Sequence, residues 1–195
     1  MDYSSSLDRS LSIDDEGWLR GVARVPSPNA DARPPDCDPS LIVVHGISLP
    51  PGEFGGPWID RLFTNCLPVD EHEYFATIDK LRVSAHALVR RDGEIRQYVP
   101  FGLRAWHAGE SSWCGRQRCN DFSIGIELEG SDEIPYAEAQ YERLAALIAA
   151  LRLAYVSLRT AEIVGHQDIA PGRKTDPGPA FDWIRLDREL AITGG

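Results

Sequence analysis

The sequence predicts a single α/β (α+β) domain in which helices flank a mixed central β-sheet. Short apolar or alternating runs, typical of strands, are interspersed with segments that have the pattern of helices. The chain has 195 residues, of which 43% are hydrophobic and 26% charged. That length and composition are typical of one globular domain with a hydrophobic core of its own.

Residues 1–40 differ in composition from the rest of the chain. They are rich in Ser, Asp and Pro, which predicts a loosely organised lead-in with one short strand at 18–25. The main domain is expected over residues 41–195. The beginning of the chain is polar and acidic and shows no apolar segment typical of a secretion signal, so a cytoplasmic location is expected.

Five segments have the pattern of strands. A continuous apolar run that ends in His45 is typical of a buried strand. The turn signal Arg91-Asp92-Gly93 lies between two further strands and predicts a hairpin. The predicted strands are 41–45, 84–89, 94–99, 123–129 and 162–166.

Three helices and a final helical turn are expected between or after these strands. The longest is amphipathic, and its most apolar stretch is interrupted by Arg152 and is shorter than the roughly 20 residues needed to cross a membrane. No membrane partner is therefore expected. The predicted helical segments are 57–65, 71–80, 136–157 and 181–190.

The charge balance limits the possible partners. Thirty acidic residues against 20 Lys and Arg give a net charge of −10, which argues against nucleic acid as a ligand. Residues 82–118 depart from this average, because seven arginines against three acidic residues give a local net charge of +4 and leave −14 for the rest. An anionic small ligand thus remains compatible with the composition. No obligate protein partner is predicted.

Two of the five histidines follow apolar strands, where side chains emerge from the core. His45 and His166 are therefore placed to share a ligand, and catalytic zinc usually takes three protein ligands and leaves one position open. Asp176, on a loop bounded by Pro and Gly, could supply the third ligand. Asp168 is the alternative, although it could equally organise the turn after His166. No HExxH motif occurs, which excludes a thermolysin-like site.

Residues 123–129 separate by parity into two faces, as expected for a strand. Ile124, Ile126 and Leu128 share one face, and Ser123, Gly125, Glu127 and Glu129 share the other. The small neighbours leave space beside Glu127, which predicts a general base lining a cleft, with a solvated polar face as the alternative. A glycosidase pair with Glu129 is disfavoured, because i and i+2 carboxylates lie side by side, about 6.5 Å apart.

Several longer motifs occur in consistent order between residues 41 and 183. They are VVH at 43–45, PPGEFGGPW at 50–58, RVSAH at 82–86, RRDG at 90–93, WHAG at 106–109, RCNDFSIGIELEG at 118–130 and the segment 165–179. Together they resemble the AmpD-type amidases, zinc type 2 amidases that share their fold with peptidoglycan recognition proteins. The sequence departs from the family's usual pattern at Gly46, where the subfamily often has Asn.

The resemblance implies zinc-dependent hydrolysis of an anhydro-muropeptide. The bond would join the lactyl group of 1,6-anhydro-N-acetylmuramic acid to L-alanine of the stem peptide, in cytosolic muropeptide recycling. Zinc would be held by His45, His166 and Asp176, which decides against Asp168, and Glu127 and Lys174 would be catalytic. Glu127 would carry protons, and Zn²⁺ with Lys174 would stabilise the oxyanion. The implied substrate-binding residues are Arg82, Trp106, His107, Arg118 and Asn120.

Two other functions are alternatives to this one. A noncatalytic recognition module could keep the fold and lose the metal, but the presence of all three expected ligands, Glu127 and Lys174 argues against it. A periplasmic amidase that acts on intact cell wall would be expected to carry a secretion signal.

Overall fold

The computed structural model describes residues 10–193, so that the first nine residues of the predicted lead-in lie outside the described residues. The strands are β1 Ala23–Arg24, β2 Ala30–Asp31, β3 Leu41–Ile47, β4 Ala87–Val89, β5 Ile95–Gln97, β6 Arg104–Ala105, β7 Ser112–Trp113, β8 Arg116–Gln117, β9 Ser123–Glu129 and β10 Glu162–Gly165. The helices are α1 Trp58–Phe63, α2 Glu73–Ile78, α3 Glu138–Ala154, α4 His166–Ile169 and α5 Trp183–Thr193.

A six-stranded mixed sheet forms the centre of the fold, in the order β1-β5-β4-β9-β3-β10. Strand β9 runs parallel to both of its neighbours, β3 and β4, whereas β5 is antiparallel to β4. The predicted mixed sheet is confirmed. The register of β3 on β9 places His45 opposite Glu127, so that neighbouring strands present these two side chains on the same face.

Helix α3 covers one face of the sheet. Its buried apolar residues, including Leu144 and Ile148, share a core cluster with Ile124, Ile126 and Leu128 of β9. Helix α5 packs against α3 on the outside. The predicted long helix is confirmed over a shorter span, because Tyr155 has extended backbone angles and ends it.

The predicted hairpin is confirmed, with β4 and β5 antiparallel and Gly93 at a positive φ of 87°. Its first strand is shorter than predicted, because the Ser84 N–H bonds to the carbonyl of Trp106 and its hydroxyl to that of Asn29. Strand β3 continues two residues past His45.

The described part of the lead-in packs onto the central sheet. Strand β1 pairs with β5, and Leu19 is fully buried. The Gln97 side chain accepts a hydrogen bond from the Leu19 N–H at 2.6 Å and donates to the Gly17 carbonyl at 2.9 Å. These contacts join residues 17–24 to the core, and the domain boundary at residue 40 stays a prediction. Within residues 10–193, every helix is too short or too polar to cross a membrane.

Candidate metal centre and active site

His45, His166 and Asp176 converge at the ends of two central strands. His45 lies near the end of β3, His166 begins α4 directly after β10, and Asp176 lies on the loop that follows. The two Nδ1 atoms are 2.9 Å apart, and Asp176 Oδ2 is 3.2 Å from that of His45 and 3.1 Å from that of His166. The structure therefore brings the three predicted ligands together.

These three atoms fit a metal ion. Ligand atoms of a tetrahedral zinc ion at its usual bond lengths are about 3.3 Å apart, close to the separations here. Burial lowers the pKa of His45 to about 4, so that its imidazole is neutral at pH 7. Although burial opposes ionisation of Asp176, its close contacts with the imidazoles of His166 and His45 hold the pKa of its carboxyl well below its usual range. Two imidazoles and one carboxylate are a donor set that zinc favours.

Asp168, the alternative third ligand, has a different position. Its Oδ2 accepts a hydrogen bond from the Gly165 N–H at 2.7 Å. The carboxylate thus organises the turn between β10 and α4.

Glu127 lines the same cavity as the metal ligands. The residue is only 9% exposed, and its Oε2 makes no hydrogen bond to any described residue. Burial raises the pKa of this carboxyl well above its usual range, and the charge of Asp176 raises it further, whereas Lys174 lowers it. A buried carboxyl with one oxygen left unbonded beside a metal cluster is suited to exchanging protons with a substrate or water.

The cavity around these groups has a volume of about 510 Å³. Its lining includes six of the predicted site residues: His45, His107, Glu127, His166, Lys174 and Asp176. One wall is apolar and is formed by Leu49, Leu62, Phe63, Ile78, Leu81 and Val83. Arg173 also lines the cavity, so that two cations lie beside the metal cluster.

Four of the predicted substrate-binding residues lie outside the lining of this cavity, as far as residues 10–193 show. The Arg82 guanidinium donates to carbonyls of its own loop, Asp79 and Leu81. The Trp106 side chain lies near the carboxylate of Asp31 and helps to lower the pKa of that group, after Arg104. Arg118, whose side chain is 72% exposed, pairs with Asp121.

Asn120, the fourth of these residues, has a role in positioning the backbone. Its Oδ1 accepts hydrogen bonds from the N–H groups of His107 and Ala108, at 3.0 and 2.8 Å. The side chain therefore holds the loop that carries His107 in place.

Tyr136 is a residue near the metal cluster that the sequence did not reveal. Its hydroxyl donates to the carbonyl of Pro177 at 2.9 Å, next to Asp176. A Cβ at Gly46 or at Gly130 would approach the Tyr136 side chain to 2.2 Å. The two glycines at the ends of adjacent strands thus make room for a ring that fixes the Asp176 loop. In the sequence, these glycines were the only indication that a large side chain packs there.

A family model described as N-acetylmuramoyl-L-alanine amidase matches residues 35–179. The chain belongs to this amidase family. A relative from Citrobacter freundii, 1,6-anhydro-N-acetylmuramyl-L-alanine amidase AmpD, is 64% identical over 172 residues, which cover 88% of this chain and 91% of the relative. The resemblance to the AmpD-type amidases and the prediction of an amidase are confirmed.

Solved structures of other amidases have the same fold. The crystal structure of a selenomethionine derivative of AmpD has 62% sequence identity to this chain and a TM-score of 0.88. The match covers 91% of this chain and 98% of the AmpD chain. The amidase AmiD from E. coli, in complex with anhydro-N-acetylmuramic acid-L-Ala-D-gamma-Glu-L-Lys, is 29% identical with a TM-score of 0.54. That match covers 93% of this chain and 66% of the AmiD chain.

Proposed function

We propose that this amidase is a zinc enzyme that hydrolyses the amide bond between the lactyl group of 1,6-anhydro-N-acetylmuramic acid and L-alanine of the stem peptide. We place this reaction in the cytosolic recycling of muropeptides, as the resemblance to AmpD-type amidases implies. The observation that carries the proposal is the convergence of His45 Nδ1, His166 Nδ1 and Asp176 Oδ2 within 3.2 Å of one another, beside the buried Glu127.

The residues of this chain have distinct parts in the proposed reaction. His45, His166 and Asp176 would hold the zinc ion, which would supply a Lewis acid that lowers the pKa of water and polarises the amide carbonyl. Glu127 takes a proton from the attacking water and delivers one to the departing alanine nitrogen, and a raised pKa suits a carboxyl that holds this proton in between. The C–N bond breaks, the carbonyl carbon gains the oxygen of water, and the nitrogen gains the proton. Lys174 places a positive charge near the developing oxyanion.

The cavity supports a ligand that is apolar on one side and anionic on the other. The apolar wall suits the methyl groups and ring faces of the sugar and the lactyl-alanine junction. Arg173 and Lys174 suit the carboxylates of a stem peptide. The structural neighbour AmiD, whose ligand is an anhydro-muropeptide, supports the same class of substrate.

The proposal is tested by release of the stem peptide from purified anhydro-muropeptide. We expect the full-length protein to release a peptide with a free alanine amine, to lose this activity on removal of metal with a chelator, and to regain it with one equivalent of Zn²⁺. His166→Ala should abolish both zinc binding and turnover. His72→Ala is the matched control, because His72 is at the start of α2 and is not part of the cavity lining; it should retain zinc binding and most of the turnover.

The same assay separates the two other functions. Binding of muropeptide without zinc-dependent release would support a noncatalytic recognition module and overturn the proposal. Equal turnover of intact cell-wall sacculi and anhydro-muropeptide would support a cell-wall amidase instead.

A further inference from the structure

A chain of hydrogen bonds leads from the metal cluster to a backbone carbonyl deep in the fold. His45 Nε2, the nitrogen that faces away from Asp176, lies 2.9 Å from His107 Nδ1. His107 Nε2 in turn lies 3.1 Å from Ser123 Oγ, and that hydroxyl is 2.6 Å from the carbonyl of Cys119. The three side chains of this network are buried, and buried polar groups are nearly always hydrogen-bonded.

The direction of each hydrogen bond follows from the carbonyl at the end. A carbonyl oxygen only accepts, so the Ser123 hydroxyl donates its one proton to Cys119. The Ser123 oxygen then accepts from His107 Nε2–H, which leaves His107 Nδ1 as an acceptor. His107 Nδ1 accepts from His45 Nε2–H, and the lone pair of His45 is therefore on Nδ1, the atom that faces His166 and Asp176.

The second imidazole of the cluster is oriented by the next residue of the same loop. His166 Nε2 lies 3.3 Å from the carbonyl of Ala108, which can only accept, so that His166 also carries its proton on Nε2. Asn120 holds the N–H groups of both loop residues. Two adjacent residues, His107 and Ala108, thus face the distal nitrogens of both histidines.

The loop is seated by a glycine on the neighbouring strand. A Cβ on Gly125 would lie 2.3 Å from Cγ of the His107 ring, closer than any real contact allows. The ring therefore lies directly on the backbone of β9, and its position is fixed by Gly125 below, Ser123 at one nitrogen and His45 at the other.

We propose that His107 and Ser123 are positioning residues for the metal centre, and that with the Ala108 carbonyl they hold both histidines in the tautomer whose Nδ1 binds the metal. This assigns His107 to the ligand His45 rather than to the substrate, and it rests on the proposed zinc site. Partners of this kind, beyond the ligands themselves, commonly change metal affinity ten- to a hundredfold.

The tautomers can be measured directly in the zinc-loaded protein, in which the ion lies between the three ligand atoms. In ¹⁵N-histidine-labelled protein with one equivalent of Zn²⁺, two-bond ¹H–¹⁵N correlations should show His45, His107 and His166 each protonated on Nε2. Signals are assigned by single histidine substitutions. Protonation of His107 on Nδ1, or zinc bound through Nε2 of His45, would overturn the proposal without bearing on whether the protein is an amidase.

The second measurement compares zinc affinity, by competition with a chromogenic chelator, between two variants of one residue. His107→Leu fills the space without an acceptor and should weaken Zn²⁺ binding about ten- to a hundredfold. His107→Asn places an amide oxygen near the position of Nδ1 and should restore affinity to within a few-fold of wild type. Ser123→Ala, which keeps the His107 ring, should weaken binding about three- to tenfold.

The matched control is Gln97→Leu. Gln97 is also fully buried, but its side chain bonds to the backbone of Leu19, Gly17 and Val99, outside the lining of the metal-site cavity. This variant should lower the melting temperature and leave zinc affinity unchanged. If His107→Leu kept wild-type zinc affinity but had a reduced kcat/KM, His107 would act on the substrate and the proposal would be overturned. If zinc binding were weakened equally in His107→Leu and His107→Asn, the role of His107 would be packing alone. Failure of the wild type to bind zinc at all would instead overturn the proposed function.

Discussion

The two faces of strand β9 are equally buried and carry opposite chemistry. All seven residues from Ser123 to Glu129 are buried. Ile124, Ile126 and Leu128 pack in the core beneath α3. The other face carries Ser123, Gly125, Glu127 and Glu129, and its polar groups contact His107, the metal-site cavity and the loop at Gly55.

The difference lies in what each face is paired with. The apolar face is covered by a helix that begins nine residues after the strand ends, and its contacts are interchangeable apolar surfaces. The polar face contacts separate loops that are distant in sequence. Three of its four residues have a specific partner: Ser123 bonds to His107, Gly125 makes room for the His107 ring, and Glu129 bonds to Gly55. Buried polar groups are costly unless they are satisfied. A buried strand face that keeps them therefore indicates function, and the following predictions test this separation of roles.

The largest effect is expected from Glu127→Gln. The amide keeps the shape of the side chain and cannot take up a proton, so that turnover should fall about 10²- to 10⁴-fold. Zinc stoichiometry and the melting temperature should stay at wild-type values, because Glu127 Oε2 has no hydrogen-bond partner among the residues described. Loss of zinc together with activity would make Glu127 a ligand and contradict its proposed role.

On the opposite face, Ile126→Ala should affect stability alone. The side chain is fully buried beneath α3, and removal of such a group typically costs about 2–5 kcal/mol. Urea unfolding should show this loss, whereas Ile126→Val should cost about 0.5–1.5 kcal/mol. Zinc affinity of the folded protein should not change. A weaker zinc site in Ile126→Ala would mean that the two faces are coupled through the strand.

The apolar half of the molecule could be predicted from the sequence, because its rules are local. Alternation along residues 123–129 gave the strand and its two faces, and helical periodicity gave α3. The same periodicity placed Glu127 on an open face and His45 and His166 at strand ends. The positions of these residues were predictable because the sheet fixes where a central strand ends, independently of the conformation of the loops.

The positions of loop side chains were not predictable, since they depend on contacts between distant segments. Arg82 and Arg118 matched family motifs, but their loops direct the guanidinium groups to nearby carbonyls or to Asp121. The link from His107 to His45 joins residues 62 positions apart. Among these long-range contacts, only those in which a glycine makes room for a ring, as at Gly125, are indicated in the sequence. A glycine does not show which ring it accommodates.

A smaller effect on stability, with activity retained, is expected from Glu129→Gln. The buried carboxylate accepts the Gly55 N–H at 2.6 Å and the Arg91 N–H at 3.3 Å, and it lies 3.5 Å from the Arg90 guanidinium. The amide keeps one acceptor and loses the charge, which should cost about 1.5–3 kcal/mol in urea unfolding. Turnover should remain within a few-fold of wild type. A loss as large as that of Glu127→Gln would show that the two carboxyls act together, contrary to the separation proposed here.

The smallest expected effect comes from a single methyl group, in Gly125→Ala. A Cβ at this position would lie within 2.6 Å of three atoms of the His107 ring, so the ring must shift and its hydrogen bond with His45 is disturbed. Zinc affinity should therefore fall by up to about tenfold, less than in His107→Leu. Gly102→Ala is the matched control, because no atom lies within 4 Å of its added Cβ, and it should bind zinc as the wild type does.

A double variant shows whether the methyl group acts through the ring. If the only role of the missing side chain at Gly125 is to make room for the His107 ring, then the double variant Gly125→Ala/His107→Ala should bind zinc as tightly as His107→Ala alone. The two substitutions should be non-additive by nearly the whole effect of Gly125→Ala, as expected for residues in direct contact. Additive losses would mean that the methyl group disturbs β9 itself, and hence Glu127 or His45 along the sheet. The polar face would then depend on the strand as a unit rather than on separate partners for each residue.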